Sequence, residues 1–141
     1  VSSVHQSWPW PFPQVQQFEM LRPALEPMAN AHGIPVIIAG DFNATPWSYN
    51  LRKYEMLTDT KRVAGSGPTW LTNRLPEMLR PWIGLPIDQV LINNTVKARN
   101  LRAGEPAGSD HLPLLLEFSV PAPASEPAED NQQPNPAAVR I

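Results

Sequence analysis

Cysteine is missing from all 141 residues, so neither a disulfide nor a thiolate metal site can hold this chain together. No apolar run approaches the ~18 residues of a membrane-spanning helix. Positive charge is not in excess either. The formal net charge is −2, and over residues 1–120 Lys and Arg balance Asp and Glu ten to ten. Such a balance makes no electrostatic case for a dedicated nucleic-acid binder, which usually carries a basic field. It still admits a phosphate-ester substrate where a bound cation supplies the positive charge. What the chain has in quantity is proline: 18 residues, roughly 13% against a usual ~5%. With 42% apolar residues the composition is globular, and the length suits one domain.

The prolines punctuate the chain. Residues 5–13, His5-Gln6-Ser7-Trp8-Pro9-Trp10-Pro11-Phe12-Pro13, cannot be helical, since each Pro removes a donor and restricts the residue before it. Apolar residues then fall at Val15, Phe18, Leu21, Leu25 and Met28, a helical stripe. Pro23 and Pro27 predict a kink or two short helices there. Residues 35–39, Pro-Val-Ile-Ile-Ala, predict a strand covered on both faces. A helix is expected over Tyr49–Leu57 with Ser48 as its N-cap. Residues 64–86, rich in Gly and Pro, read as a long functional loop holding Thr69, Trp70 and Trp82. Strands are expected at Ile87–Ile92, Val96–Leu101 and Leu112–Val120, with Asn93-Asn94 as a turn. From Pro121 to Ile141, Pro, Ala and scattered acids mark a disordered tail. The fold class is α+β: a sheet with helices enough to cover one face, like half of a two-sheet sandwich.

Chemistry-bearing residues gather at strand ends. Asp41 and Asn43 follow the run at 35–39, Asp88 opens a strand, and Asp110 and His111 precede another. His5 follows the short apolar start of the chain. Taken singly, Asp41 and Asn43 also suit a turn, and Asp110 a cap. Gathered together, carboxylate oxygens suit Mg²⁺ or Mn²⁺. A His held by an Asp suits acid–base work, and a carboxamide can donate to a developing anion. His32, beside Gly33 at a helix end, reads as a dipole-compatible terminal residue.

The strings Gly40-Asp41-Phe42-Asn43, Ile87-Asp88-Gln89-Val90-Leu91 and Gly108-Ser109-Asp110-His111-Leu112-Pro113, in this order, resemble the endonuclease/exonuclease/phosphatase superfamily over residues 1–120. The string Ala39–Ser48 with Pro68-Thr69-Trp70 is most similar to its bacterial, membrane-linked YafD-like branch. The resemblance implies a DNase I-like two-sheet sandwich, of which this chain supplies mainly the C-terminal half (residues 1–120), followed by the Pro-rich tail (121–141). It implies Mg²⁺- or Mn²⁺-dependent hydrolysis of a phosphate ester: a nucleic acid, a phospholipid or an inositol phosphate. By the same resemblance Asp41 orients or deprotonates the attacking water and Asn43 contacts the phosphate. Asp88 and His111 pair, Asp110 binds metal, and His5 is a second active-site His. Apart from the resemblance, Trp47 and Trp70 each follow one of these strings and either could line the site, with Trp70 the aromatic expected against substrate.

The family's principal metal-binding Glu and an upstream Asn belong to a half expected to precede Val1, along with any membrane anchor of an extracytoplasmic domain. Gln89, where relatives often carry His or Tyr, is expected to face away from the site with little consequence. The competing reading is a truncated or pseudo-enzymatic module that binds without catalysis.

Overall fold

A computed structural model of the chain describes residues 1–9, 13–72 and 76–122. Trp10, Pro11 and Phe12 of the first loop, and all of the expected disordered tail from residue 123, lie outside the described residues. The elements run β1 (Ser2–His5), α1 (Pro13–Ala29), β2 (Ile37–Asp41), α2 (Tyr49–Thr58), β3 (Lys61–Arg62), α3 (Arg80–Ile83), β4 (Asp88–Ile92), β5 (Lys97–Ala103) and β6 (Leu114–Ser119). A 3₁₀ turn at Glu77–Leu79 leads into α3.

Four strands form one sheet in the order β1-β2-β4-β3, and β5 and β6 form a separate antiparallel pair. β1 lies parallel to β2, with α1 as the crossover, while β4 is antiparallel to both β2 and β3. Side chains alternate across the central strands. Ile38, Phe42 and Leu91 pack with Phe18 and Leu25 of α1 and Leu51 and Tyr54 of α2. Ile37 and Val90 pack on the opposite face with Val96, Leu101, Leu114 and Leu116. The sheet is thus helix-covered on one side and partly covered by β5–β6 on the other.

Local chemistry explains the helices. Ser48 has extended backbone angles and its hydroxyl accepts from Leu51 N at 3.1 Å, an N-cap for α2. At the other end Asp59 adopts φ 48° and its N–H returns to Glu55 O. In α1 the structure departs from expectation: the helix is unbroken through Pro23 and Pro27. Both prolines are exposed, so the carbonyls they leave without an intrahelical partner face water instead of the core. The buried stripe is Gln14, Phe18 and Leu25, with Leu21 and Met28 partly buried. Val15, assigned to the stripe from sequence, is exposed.

Other boundaries also move. β2 begins at Ile37 and continues through Gly40 and Asp41, because each finds ladder partners in β1 and β4. Lys61–Arg62 is a short edge strand on β4. Within the 64–86 loop, Trp70 makes isolated bridges to Leu85 and to His111.

Candidate active site

Three strands end together on the face that β5–β6 cover. His5 is the register partner of Asp41 across β1–β2, and Asp41 that of Asp88 across β2–β4. All three side chains therefore point to one side of the sheet, just past its apolar part. Asp41 and Asp88 are 17% and 14% exposed at the side chain, whereas His5 is 84% exposed. His5 Nε2 lies 3.8 Å from Asp41 Oδ2, an electrostatic neighbour beyond hydrogen-bond length.

Gly40 makes this alignment sterically feasible. It has φ +147°, and a Cβ built there would lie 1.9 Å from Val4 O. Only a residue without a side chain lets β1 and β2 approach so closely one step before the site.

Asn43 adopts φ 45°, a left-handed conformation that Asn tolerates better than most residues. Its backbone N–H donates to Asp41 Oδ1 at 2.8 Å, and its Nδ2 donates to Asp41 Oδ2 at 3.1 Å and to Gln6 O at 2.6 Å. The Asp41 carboxylate is thereby gripped at both oxygens, and both side-chain N–H groups of Asn43 are engaged in holding it in place.

His111 arrives from the loop before β6. Leu71 N donates to Asp110 O and Leu112 N to Thr69 O, each at 2.7 Å, so residues 69–71 hold 110–112 as a short antiparallel pair. The His111 ring then reaches Asp88, with Nδ1 2.9 Å from Oδ2 and 3.2 Å from Oδ1. An ionised carboxylate only accepts, so Nδ1 carries the hydrogen and Nε2 is left as the working nitrogen. Asp110, assigned to metal from sequence, turns its Oδ2 to Trp70 Nε1 at 3.0 Å. Trp70, expected against substrate, is thereby tied to the residue before His111. Trp47 and Trp82 are exposed.

Asp41, Asp88 and His111 offer ligand atoms that all lie within 4.8 Å of one another. Among the described residues this is the one such cluster, and Asp110 stands outside it. Burial pushes the Asp41 carboxyl above its ordinary value; the Asn43 N–H opposes this, the Asp88 charge adds to it, and His111 and His5 pull it down. Two carboxylates facing each other in a half-buried site fit a hard divalent cation, which would offset both the burial and the repulsion.

Four residues that serve this site were not singled out as functional from sequence. The Thr69 hydroxyl, fully buried, accepts from Ile87 N at 3.2 Å and Asp88 N at 3.1 Å and donates to Leu85 O at 3.3 Å. The Gln6 side chain is buried against the Tyr54 hydroxyl, which fixes the carbonyl that holds Asn43; burial pushes the Tyr54 phenol up to about 12. Gln14 Nε2 donates to Phe42 O at 2.9 Å. Gln89 does face away from Asp88, but it is buried and donates to Ala44 O at 3.1 Å and Pro86 O at 2.6 Å. It pins the loop after Asn43, which is more than the small consequence expected. For Gln89 a polar residue inside an apolar strand was the available signal: a buried Gln must find partners, and Gln14 and Gln89 find backbone carbonyls next to the site.

The family model of the Endonuclease/Exonuclease/phosphatase family matches residues 1–111. A UPF0294 protein of Vibrio vulnificus (strain YJ016) is 29% identical over 107 residues, which are 76% of this chain and 35% of that protein. The chain thus spans about a third of the length of that relative. Among solved structures, a functionally unknown conserved protein from Enterococcus faecalis V583 aligns with a TM-score of 0.61 and 17% identity, over 84% of this chain and 49% of that one. An endonuclease/exonuclease/phosphatase from Bacteroides vulgatus aligns with a TM-score of 0.54 and 18% identity, over 75% and 43% of the two chains. At these identities the structures show the fold: the chain forms part of a DNase I-like α/β architecture.

Proposed function

The chain belongs to the Endonuclease/Exonuclease/phosphatase family, and from that premise we propose that it carries the catalytic residues for divalent-metal-dependent hydrolysis of a phosphate ester. The observation that carries the proposal is the convergence of Asp41, Asp88 and His111 within 4.8 Å at one end of the sheet.

In this reading Asp41, aimed by both donors of Asn43, orients a water and accepts its proton; its raised pKa brings it closer to that task. His111, oriented through Nδ1 by Asp88, presents Nε2 to a phosphate oxygen and, in its imidazolium form with a hydrogen on both ring nitrogens, donates the Nε2 proton there. Asn43 lies beside the reacting phosphate and turns one N–H from Asp41 to it as the proton leaves the water. His5, exposed and near Asp41, adds a second imidazole at the open side. Mg²⁺ or Mn²⁺ bound by Asp41 and Asp88 would neutralise phosphate charge; Asp110, outside that cluster and bonded to Trp70 in the structure, would have to turn to serve as a further oxygen donor. Membrane anchoring and an extracytoplasmic location, as in the YafD-like branch, also belong to the proposal. Among the described residues no helix is long and apolar enough to cross a membrane.

The test is hydrolysis of nucleic acids, phospholipids and inositol phosphates with Mg²⁺ or Mn²⁺, comparing wild type with Asp41→Ala and His111→Ala. Each variant is expected to lose about 10²-fold or more. Equal turnover in wild type and both variants overturns the proposal. Metal-dependent ligand binding without turnover by the wild type supports the second reading, a binding module that does no chemistry.

A further inference from the structure

A cavity of about 320 Å³ is lined in part by Asn43. Its buried lining includes Ile87, Ala44 and Gln14, while Trp8 and Tyr49, 49% and 66% exposed, stand at its rim. Neither ring is loose. Trp8 meets Trp70 edge to face, with ring centroids 6.0 Å apart, and Trp70 is tied to Asp110 beside His111. Lys53 Nζ lies 5.2 Å from the Tyr49 ring centroid. The rim is therefore connected to the candidate active site on two sides, through Asn43 and through Trp70.

Charge and size narrow what such a cavity receives. Every side chain on its lining is uncharged. A second phosphate seated there would lose hydration with no cation to meet it, which disfavours polyphosphorylated rings. The volume lies at the small end for ligand sites, enough for a ring and too small for paired acyl tails. Aromatic rims favour planar groups that present a π-face, and Thr45 and Asn50 supply hydrogen-bonding groups on the same lining.

We infer that this cavity is the subsite for one organic arm of the ester: an uncharged planar ring with polar edges, of the nucleobase class, attached to a phosphate held at Asp41 and His111. The inference rests on the phosphate-ester reading and deepens it by naming the group next to the phosphorus.

Equilibrium binding to the 141-residue chain with Mg²⁺ tests it, using methyl phosphate, phenyl phosphate, uridine 5′-monophosphate, uridine and inositol 1,4-bisphosphate. Uridine 5′-monophosphate is expected to bind at least about tenfold more tightly than methyl phosphate or the bisphosphate. Trp8→Ala and Tyr49→Ala, both at exposed positions, are each expected to remove most of that preference. A phenyl phosphate affinity that matches the nucleotide identifies the ring face as the recognised feature; a weaker one identifies the polar edges as well. Either result supports the subsite. Equal binding of methyl phosphate and both ring compounds overturns the inference while leaving the phosphate-ester reading in place. So does a preference that survives in both variants. Binding of uridine with Trp8 dependence but no added affinity from its phosphate keeps the ring site and overturns the phosphate-ester reading. No binding of any compound overturns both.

Discussion

Asp41 and Asp88 stand directly opposite each other on antiparallel β2 and β4, two carboxylates on one face at the same end of the sheet. Like charges in that relation oppose pairing. The site holds them together through neighbouring groups: Asn43 donates to both oxygens of Asp41, and the His111 ring takes Asp88.

The Asp41 carboxyl is raised first by burial and further by the Asp88 charge, against the lowering by the Asn43 N–H. A carboxyl with a folded pKa above its unfolded one contributes stability that is fully present below the unfolded value. That contribution is lost as pH rises through the folded value. Asp88→Asn removes one raising influence, so the Asp41 titration is expected to move down toward the ordinary carboxylate range. Added Mg²⁺ should move it the same way in the wild type. Carboxyl ¹³C NMR reads both, and an Asp41 titration that stays put or rises in Asp88→Asn contradicts the arrangement.

In the proposed reaction Asp88 acts through His111, whose Nδ1 it holds. Asp88→Asn is therefore expected to lower kcat by about 10²–10⁴-fold. The double variant with His111→Ala should fall little below the worse single variant, since the pair works as a unit. Single-variant losses that multiply in the double variant would show that the two act independently.

Thr69 joins three backbone groups through one hydroxyl: the amides of Ile87 and Asp88 and the carbonyl of Leu85. Thr69→Val keeps the shape and strands buried backbone groups, a loss of about 1–3 kcal/mol. Urea unfolding measures it. Thr69→Ser restores the hydroxyl and should restore turnover, whereas a purely shape-filling role would leave the valine variant the better of the two.

Gly40→Ala would drive a Cβ into the Val4 carbonyl. A destabilisation of about 2–4 kcal/mol is expected, against about 1–2 kcal/mol for Gly33→Ala, where φ is +74° but nothing lies within 4 Å of the added carbon. Thermal or urea denaturation separates the two, and equal effects would mean that the β1–β2 approach is not the constraint.

Much of this was legible along the chain. The apolar β-branched run ahead of Asp41, the Ser48 cap and the turn at Asn93-Asn94 are local signals, set by torsional preference and by short-range hydrogen bonds, and the corresponding elements are present. The unbroken α1 was not legible, because whether Pro23 and Pro27 break a helix depends on which face meets water. Nor was the role of Gln89 or Gln14: a glutamine in an apolar segment announces only that it needs partners, and its partners here are carbonyls 45 and 28 residues away.

The sequence by itself determined which residues could do chemistry, their order and their places at strand ends. Those follow from residue type and from short-range periodicity. Tertiary structure decided which of them meet. Register across β1–β2–β4 brings His5, Asp41 and Asp88 to one face, and the pairing of residues 69–71 with 110–112 carries His111 to Asp88 and turns Asp110 to Trp70. Those choices depend on close approach at Gly40 and on buried hydrogen bonds at Thr69 and Gln6, long-range contacts that no local pattern encodes.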